Sequence, residues 1–269
     1  MMLTVRKSKK AMVNKENSSP EELQEKITAM REGGKILGNL LKDLKNYVKA
    51  GMTGKEIDAW VRKEIVARGA GVAYDMLDDE FPGAICISVN DELVHGAPKD
   101  EPLETGDKVS FDLDIYYKGY FTDSAFTMLV GNTGSPAVKK MISVSESAMW
   151  EGIEQVKPGA HIGDIAHAVE KVLRAGHLGV IENYVGHGID KEMHSSPEVP
   201  NYGKKGRGYK LVEGDTICIE PMSCLGKPAN HVEGEDNWTV KMNDGSIGCH
   251  CEHTILVTKD GYEVLTLPD

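Results

Sequence analysis

The chain has 269 residues, 40% of them hydrophobic, with 31 Lys and Arg against 42 Asp and Glu and a formal net charge of −11. That is enough apolar material for a core in one large domain or two modest ones, and the acidic balance disfavours nucleic-acid binding by the body. Five cysteines without a four-cysteine zinc spacing, and no signal-like or long apolar run, argue against a disulfide scaffold and a membrane span and for a cytoplasmic protein with reduced thiols.

The first twenty residues, "MMLTVRKSKKAMVNKENSSP", hold five basic residues and one acid. They read as a flexible basic arm over 1–20, a candidate contact for an acidic partner such as RNA, ahead of a single catalytic domain over 21–269. "SSPEELQEKITAMREGGKILGNLLKDLKNYVKAG" opens with a serine cap and a proline in the first turn and keeps helical periodicity up to Gly51. "TGKEIDAWVRKEIVARGAG" is a second helix, stopped by Gly69 and Gly71. A strand at "AICISVN" precedes "SFDLDIYYKGYFTDS", which reads as a hairpin with Lys118-Gly119 as a two-residue loop. After "GNTGSP" come helices in "AVKKMISVSESAMWEGIEQVKPG" and "IGDIAHAVEKVLRAGHLG", then strands in "GDTICIEPM" and "CEHTILVTK".

The hairpin raises an electrostatic problem. Its loop sets Asp114 opposite Asp123 and Asp112 opposite Ala125, with all three acids on one face. Like charges so placed destabilise a sheet, and a dry carboxylate cluster takes up protons unless something positive stands beside it. A solvated edge hairpin is the plain alternative.

The order helix, helix, strands occurs twice. A shift of 108 residues aligns Lys49, Gly51, Ile57 and Val61 with Lys157, Gly159, Ile165 and Val169, and puts Asp112 on Glu220. "FTMLV" and "HTILV" correspond at a shift of 127, which puts Glu252 at Ala125, on the strand face of Asp123. Pseudo-repeats over about 21–131 and 132–269 would then each aim acids at a shared centre. His187 joins them, because the glycines of "GHGID" permit a close approach. His161, His167, His177, His231 and His250 read as ordinary core or surface histidines. Four carboxylates with one imidazole suit divalent Mn, Fe, Co or Zn, and two ions about 3.5–4 Å apart could share them.

The segments "CISVNDELVHGAP", "FDLDIYYKGYFTDS", "YVGHGID", "MHSSPEVPNYG", "ICIEPM", "NWTVK" and "CEHTILVT", in this order, resemble those of the bacterial-like type I methionine aminopeptidases over residues 21–269. The resemblance implies an α+β protein of the pita-bread fold, with two pseudo-symmetric halves forming a curved, mostly antiparallel sheet backed by helices. It implies removal of N-terminal methionine from nascent proteins and peptides, with a small second residue preferred, by water activated between two divalent ions (Co, Mn, Fe or Zn). The metal ligands it implies are Asp112, Asp123, His187, Glu220 and Glu252. Glu220 also shuttles protons, His194 donates to the scissile carbonyl, and His95 positions the following amide.

Phe81, Cys86, Met193 and Trp238 fall at the family's methionine-pocket positions, where thioether, thiol and aromatic groups suit sulfur. Asp114 stands where the family commonly has a hydroxyl residue, and reads as a support to the ligands or to nearby backbone. Asp78 replaces an aromatic before Phe81-Pro82, leaving Tyr74 to fill the pocket rim, and Ser195 and Ser196 replace the usual acids after His194. The partners implied are a peptide or nascent-chain N-terminus, with ribosome association open, no membrane, and a monomer by default. Two alternatives stand beside this. A proline-directed peptidase of the same fold usually carries a further N-terminal domain, for which 269 residues leave no room; a non-catalytic binding relative should have lost ligands.

Overall fold

The computed structural model describes residues 19–77, 81–233 and 235–269. The expected basic arm, up to residue 18, and Asp78 lie outside the described residues. Among the described residues, four α-helices accompany a nine-stranded antiparallel sheet and two three-stranded ones.

Helix α1 (Pro20–Tyr47) starts at a reciprocal cap: the Ser19 hydroxyl accepts from the Glu22 N–H, and the Glu22 carboxylate accepts from the Ser19 N–H. It stops short of Gly51, because Val48 is extended and the Gly51 N–H is drawn away to the Leu103 carbonyl at 2.7 Å. Helix α2 (Gly54–Ala67) has the same kind of cap from Thr53 and Glu56. Leu37, Leu40, Leu41 and Leu44 form one stripe of α1 and bury with Ile57, Val61 and Ile65 of α2. Against them lie Val109, Phe111, Leu113 and Ile115 of the strand Lys108–Tyr117. Alternation then sends Asp112 and Asp114 to the opposite face of that strand. Helices α3 (Pro136–Ile153) and α4 (Ile162–Ala175) cover the second half likewise, with Ile153, Ile162 and Ile165 against Ile217, Ile219 and Ile255.

The hairpin of Lys108–Tyr117 and Tyr120–Leu129 has the register read from the sequence, with Asp114 opposite Asp123 and Asp112 opposite Ala125. Lys118 (φ 48) and Gly119 (φ 92) both take left-handed backbone, the turn whose twist matches that of the strands. Next in the sheet come Glu252–Val257 and then Thr216–Ile219, Gly186–Gly188 and Ser195–Val199. Ile219 faces His253 and Thr216 faces Leu256. Shifted back by 108 and 127 residues, these become Phe111 facing Phe126 and Lys108 facing Leu129, pairs that the first half makes. Ala125 and Glu252, equivalent in that frame, face each other mid-sheet, as an approximate two-fold axis through this point requires.

Candidate metal centre

On the sheet face opposite α1 and α2 lies a cavity of about 170 Å³. Asp112, Asp123, His187, Glu220 and Glu252 all line it, together with His95 and His194. Asp112 and Asp123 come from the first hairpin, Glu252 from the adjoining strand, and Glu220 directly follows Thr216–Ile219. His187 is carried on Gly186–Gly188, and its glycine neighbours answer a packing demand. A Cβ on Gly186 would lie 2.3 Å from the Cys218 carbonyl oxygen, and one on Gly188 would lie 2.3 Å from that of Ser196. The strand therefore sits too close to its neighbours for any side chain except that of His187, which turns into the cavity. Its Nδ1 lies 3.1 Å from the Gly188 carbonyl, an acceptor, so the ring proton resides there and Nε2 offers its lone pair. That Nε2 is 3.7 Å from Asp123 Oδ2 and 3.6 Å from Glu220 Oε1.

The carboxylates lack protein cations to balance them. Oδ1 of Asp112, Asp114 and Asp123 and Oε1 of Glu252 are buried without a hydrogen-bond partner. Burial first, and then the charge of neighbouring acids, pushes Asp112, Asp114, Asp123 and Glu252 well above the usual carboxylate range. Glu220 differs: burial opposes its ionisation, but His250, His187 and His95 together hold it below the usual glutamate value. Ligand atoms of Asp112, Asp114 and Asp123 all lie within 4.8 Å of one another, as do those of Asp123, His187 and Glu252. Orphaned oxygens at this spacing, with one oriented imidazole, fit divalent cations, which convert repulsion into coordination. Cys218 Sγ belongs to the same neighbourhood, but burial and then Glu252 keep its thiol protonated.

Around this cluster the other sequence candidates divide. His194 is exposed at the cavity rim, its ring edge-on to His187 with centroids 4.4 Å apart. His95 has left-handed backbone (φ 56) and packs edge-on to Tyr184. Cys86 lies opposite Asp112 in the sheet, with Sγ 3.3 Å from the hydroxyl of Tyr74, which lines the cavity. Tyr74 packs on Phe81 at 4.5 Å, and Phe81 on Trp238 at 5.5 Å, so a thiol and three aromatic rings form one continuous wall. Met193 is buried in a cluster with Tyr120, Phe121 and Ile189, against which Tyr74 also packs, and does not line the cavity itself.

His250 corrects the sequence reading. It is not an ordinary core histidine: its ring lines the cavity, with Nε2 3.3 Å from Glu220 Oε2 and Nδ1 4.0 Å from Asp112 Oδ2. The one available sign was its place two residues before Glu252, a spacing that puts side chains of an extended chain on one face.

An acid-rich, cation-seeking cavity at the middle of a two-fold antiparallel sheet backed by helices defines a metal-dependent peptidase of the pita-bread class. The chain belongs to metallopeptidase family M24, whose model matches residues 28–259. It is 38% identical over 238 residues to methionine aminopeptidase 1 of Bacillus subtilis, covering 88% of this chain and 94% of that one. It is 39% identical over 243 residues to methionine aminopeptidase of Mycoplasma capricolum, covering 90% and 96%. The crystal structure of methionine aminopeptidase from Rickettsia prowazekii superposes with a TM-score of 0.86 at 35% identity, covering 91% of this chain and 97% of that chain.

Proposed function

We propose that this protein removes N-terminal methionine from peptides and nascent chains, with Asp112, Asp123, His187, Glu220 and Glu252 holding two divalent ions. The observation that carries the reading is the convergence of these five side chains from both halves on one buried cavity, with their outward oxygens unpartnered. When bound, such ions supply Lewis acidity toward a peptide carbonyl and toward water.

The chain's own groups do the rest. Glu220, the acid held ionised, takes the proton of the attacking water and returns it to the leaving amine. His194 at the rim donates to the carbonyl oxygen, and His95 positions the amide that follows. The wall of Tyr74, Phe81, Cys86 and Trp238 receives the methionine side chain, with Met193 supporting it from behind. The surplus of acids attracts a free ammonium and so confines the reaction to chain ends. A cavity of about 170 Å³ suits a single terminal residue followed by a small one. Residues 21–269 act as one catalytic domain and as a monomer, and the basic arm serves contact with a ribosome. No helix among the described residues is long and apolar enough to cross a membrane.

The test is hydrolysis of Met-Ala-Ser and Ala-Pro peptides by chelated protein refilled with one divalent metal at a time. Methionine release that appears only on refilling supports the reading. Cleavage confined to the proline peptide would transfer it to a proline-directed peptidase, and inertness with every ion would leave a binding protein.

A further inference from the structure

His250 ends the strand Gly248–His250, and its main chain is fixed from two directions. It pairs with Met222 across the strand, its N–H lies 3.3 Å from the Thr127 hydroxyl, and its carbonyl accepts from that hydroxyl at 2.6 Å. The ring is 2% exposed, and neither nitrogen has an aligned hydrogen-bond partner. A neutral imidazole has one donor and one acceptor, and leaving both unpaired in a dry interior costs about 1–3 kcal/mol each. The surroundings show what would relieve that cost. Nε2 stands 3.3 Å from Glu220 Oε2 and 3.8 Å from Glu252 Oε2. His187 holds the matching relation to the other side of Glu220, 3.6 Å from Oε1, with Asp123 Oδ2 at 3.7 Å. Atoms that share an ion at about 2.1 Å lie about 3–3.5 Å from one another at tetrahedral or octahedral angles. The His250 distances approach that range as closely as those of His187 do.

We propose that His250 is a sixth protein donor of the centre, closing the Glu220–Glu252 end through Nε2, so that each oxygen of Glu220 has an imidazole beside it. The inference rests on the metal-centre reading above and deepens it. Its consequence is metal choice. A site of oxygens with one nitrogen tolerates Mn(II), whereas a second imidazole favours Co(II), Zn(II) or Fe(II).

The experiment uses the full chain loaded with Co(II). Wild-type protein should show two far-shifted exchangeable imidazole protons in its proton NMR spectrum, one from His187 and one from His250, a measurement that needs no variant to fold. His250→Gln should show one. In competition titrations that variant should bind Co(II) about tenfold or more weakly, with Mn(II) changed by less than about threefold. A single shifted imidazole proton in the wild type, or equal losses for both metals, would reduce His250 to a neighbour of Glu220. Wild-type protein that binds no divalent ion would overturn the metal centre itself, a separate and recognisable result.

Discussion

Lys108 shows at the scale of one residue what burial does to charge. The side chain is fully buried, and its ammonium donates to the carbonyls of Ser88 at 3.1 Å and Glu92 at 2.9 Å, in the turn that leads to His95. Burial lowers its pKa from 10.5 to about 8, although Cys249, Glu92 and Asp91 nearby act to raise it. Between those values the unfolded chain binds more protons than the folded one, so stability rises with pH across the window. Below about pH 8 the fold carries the whole cost of a buried ammonium, up to about 3 kcal/mol. Urea midpoints of wild type and Lys108→Met, measured in chelator from about pH 7 to 11, should differ by a constant at the acid end. The difference should then shift in favour of the wild type above about pH 8, and a gap that stays level throughout would contradict this account. Nothing in the sequence marks this lysine, because a lysine at the start of a strand reads as a solvated edge residue. Asp112, Asp114 and Asp123 were legible for the opposite reason: three acids on one strand face conflict with strand chemistry unless a cation resolves the conflict. His250 stayed hidden because a lone histidine carries no pattern of its own, and its partners come from elements distant in the chain.

At the scale of elements, the strand Gly186–Gly188 has the least sequence signal and the most constrained surroundings. Three residues, two of them glycine, have no β propensity, and only the neighbouring strands make this segment extended. Gly188→Ala would drive its new Cβ against the Ser196 carbonyl, a backbone atom that cannot rotate away. The expected cost is about 1–3 kcal/mol in denaturant unfolding, with weakened divalent-ion affinity because His187 moves with its strand. An alanine variant with wild-type stability and affinity would mean that the strand has room to shift. The helices were far more legible. Ser19 with Glu22 and Thr53 with Glu56 are reciprocal caps visible in the letters, and the leucine stripe of α1 follows helical spacing. The end of α1 was not, because the hydrogen bond from Gly51 to Leu103 that draws the chain aside is tertiary.

For the whole molecule, the offsets of 108 and 127 residues foretold the layout of the sheet, since they convert the strand pairs of one half into those of the other. What they could not give is the six-residue neighbourhood around Glu220, where the second half adds two histidines with no counterpart in the first. Buried acids held together without a counter-ion cost stability, and an ion that binds only the folded state restores it. At a hundredfold excess over the dissociation constant the gain is about 2.7 kcal/mol. Chelation should therefore lower the melting temperature by about 5 °C or more, and refilling should restore it; Asp123→Asn should respond to neither treatment. A wild-type melting curve indifferent to chelator would mean that the acids have some other source of balance.

The strands Tyr120–Leu129 and Glu252–Val257 meet along the line where the two halves join, with Ala125 against Glu252. Asp112 and Asp123 arrive from one side of that line, His187, Glu220 and Glu252 from the other, so neither side owns a complete donor set. A cation seated there is a rivet through a seam. Its grip and the fit of the halves are one thermodynamic quantity, and a packing flaw far out in either hydrophobic layer would surface as a looser hold on the ion.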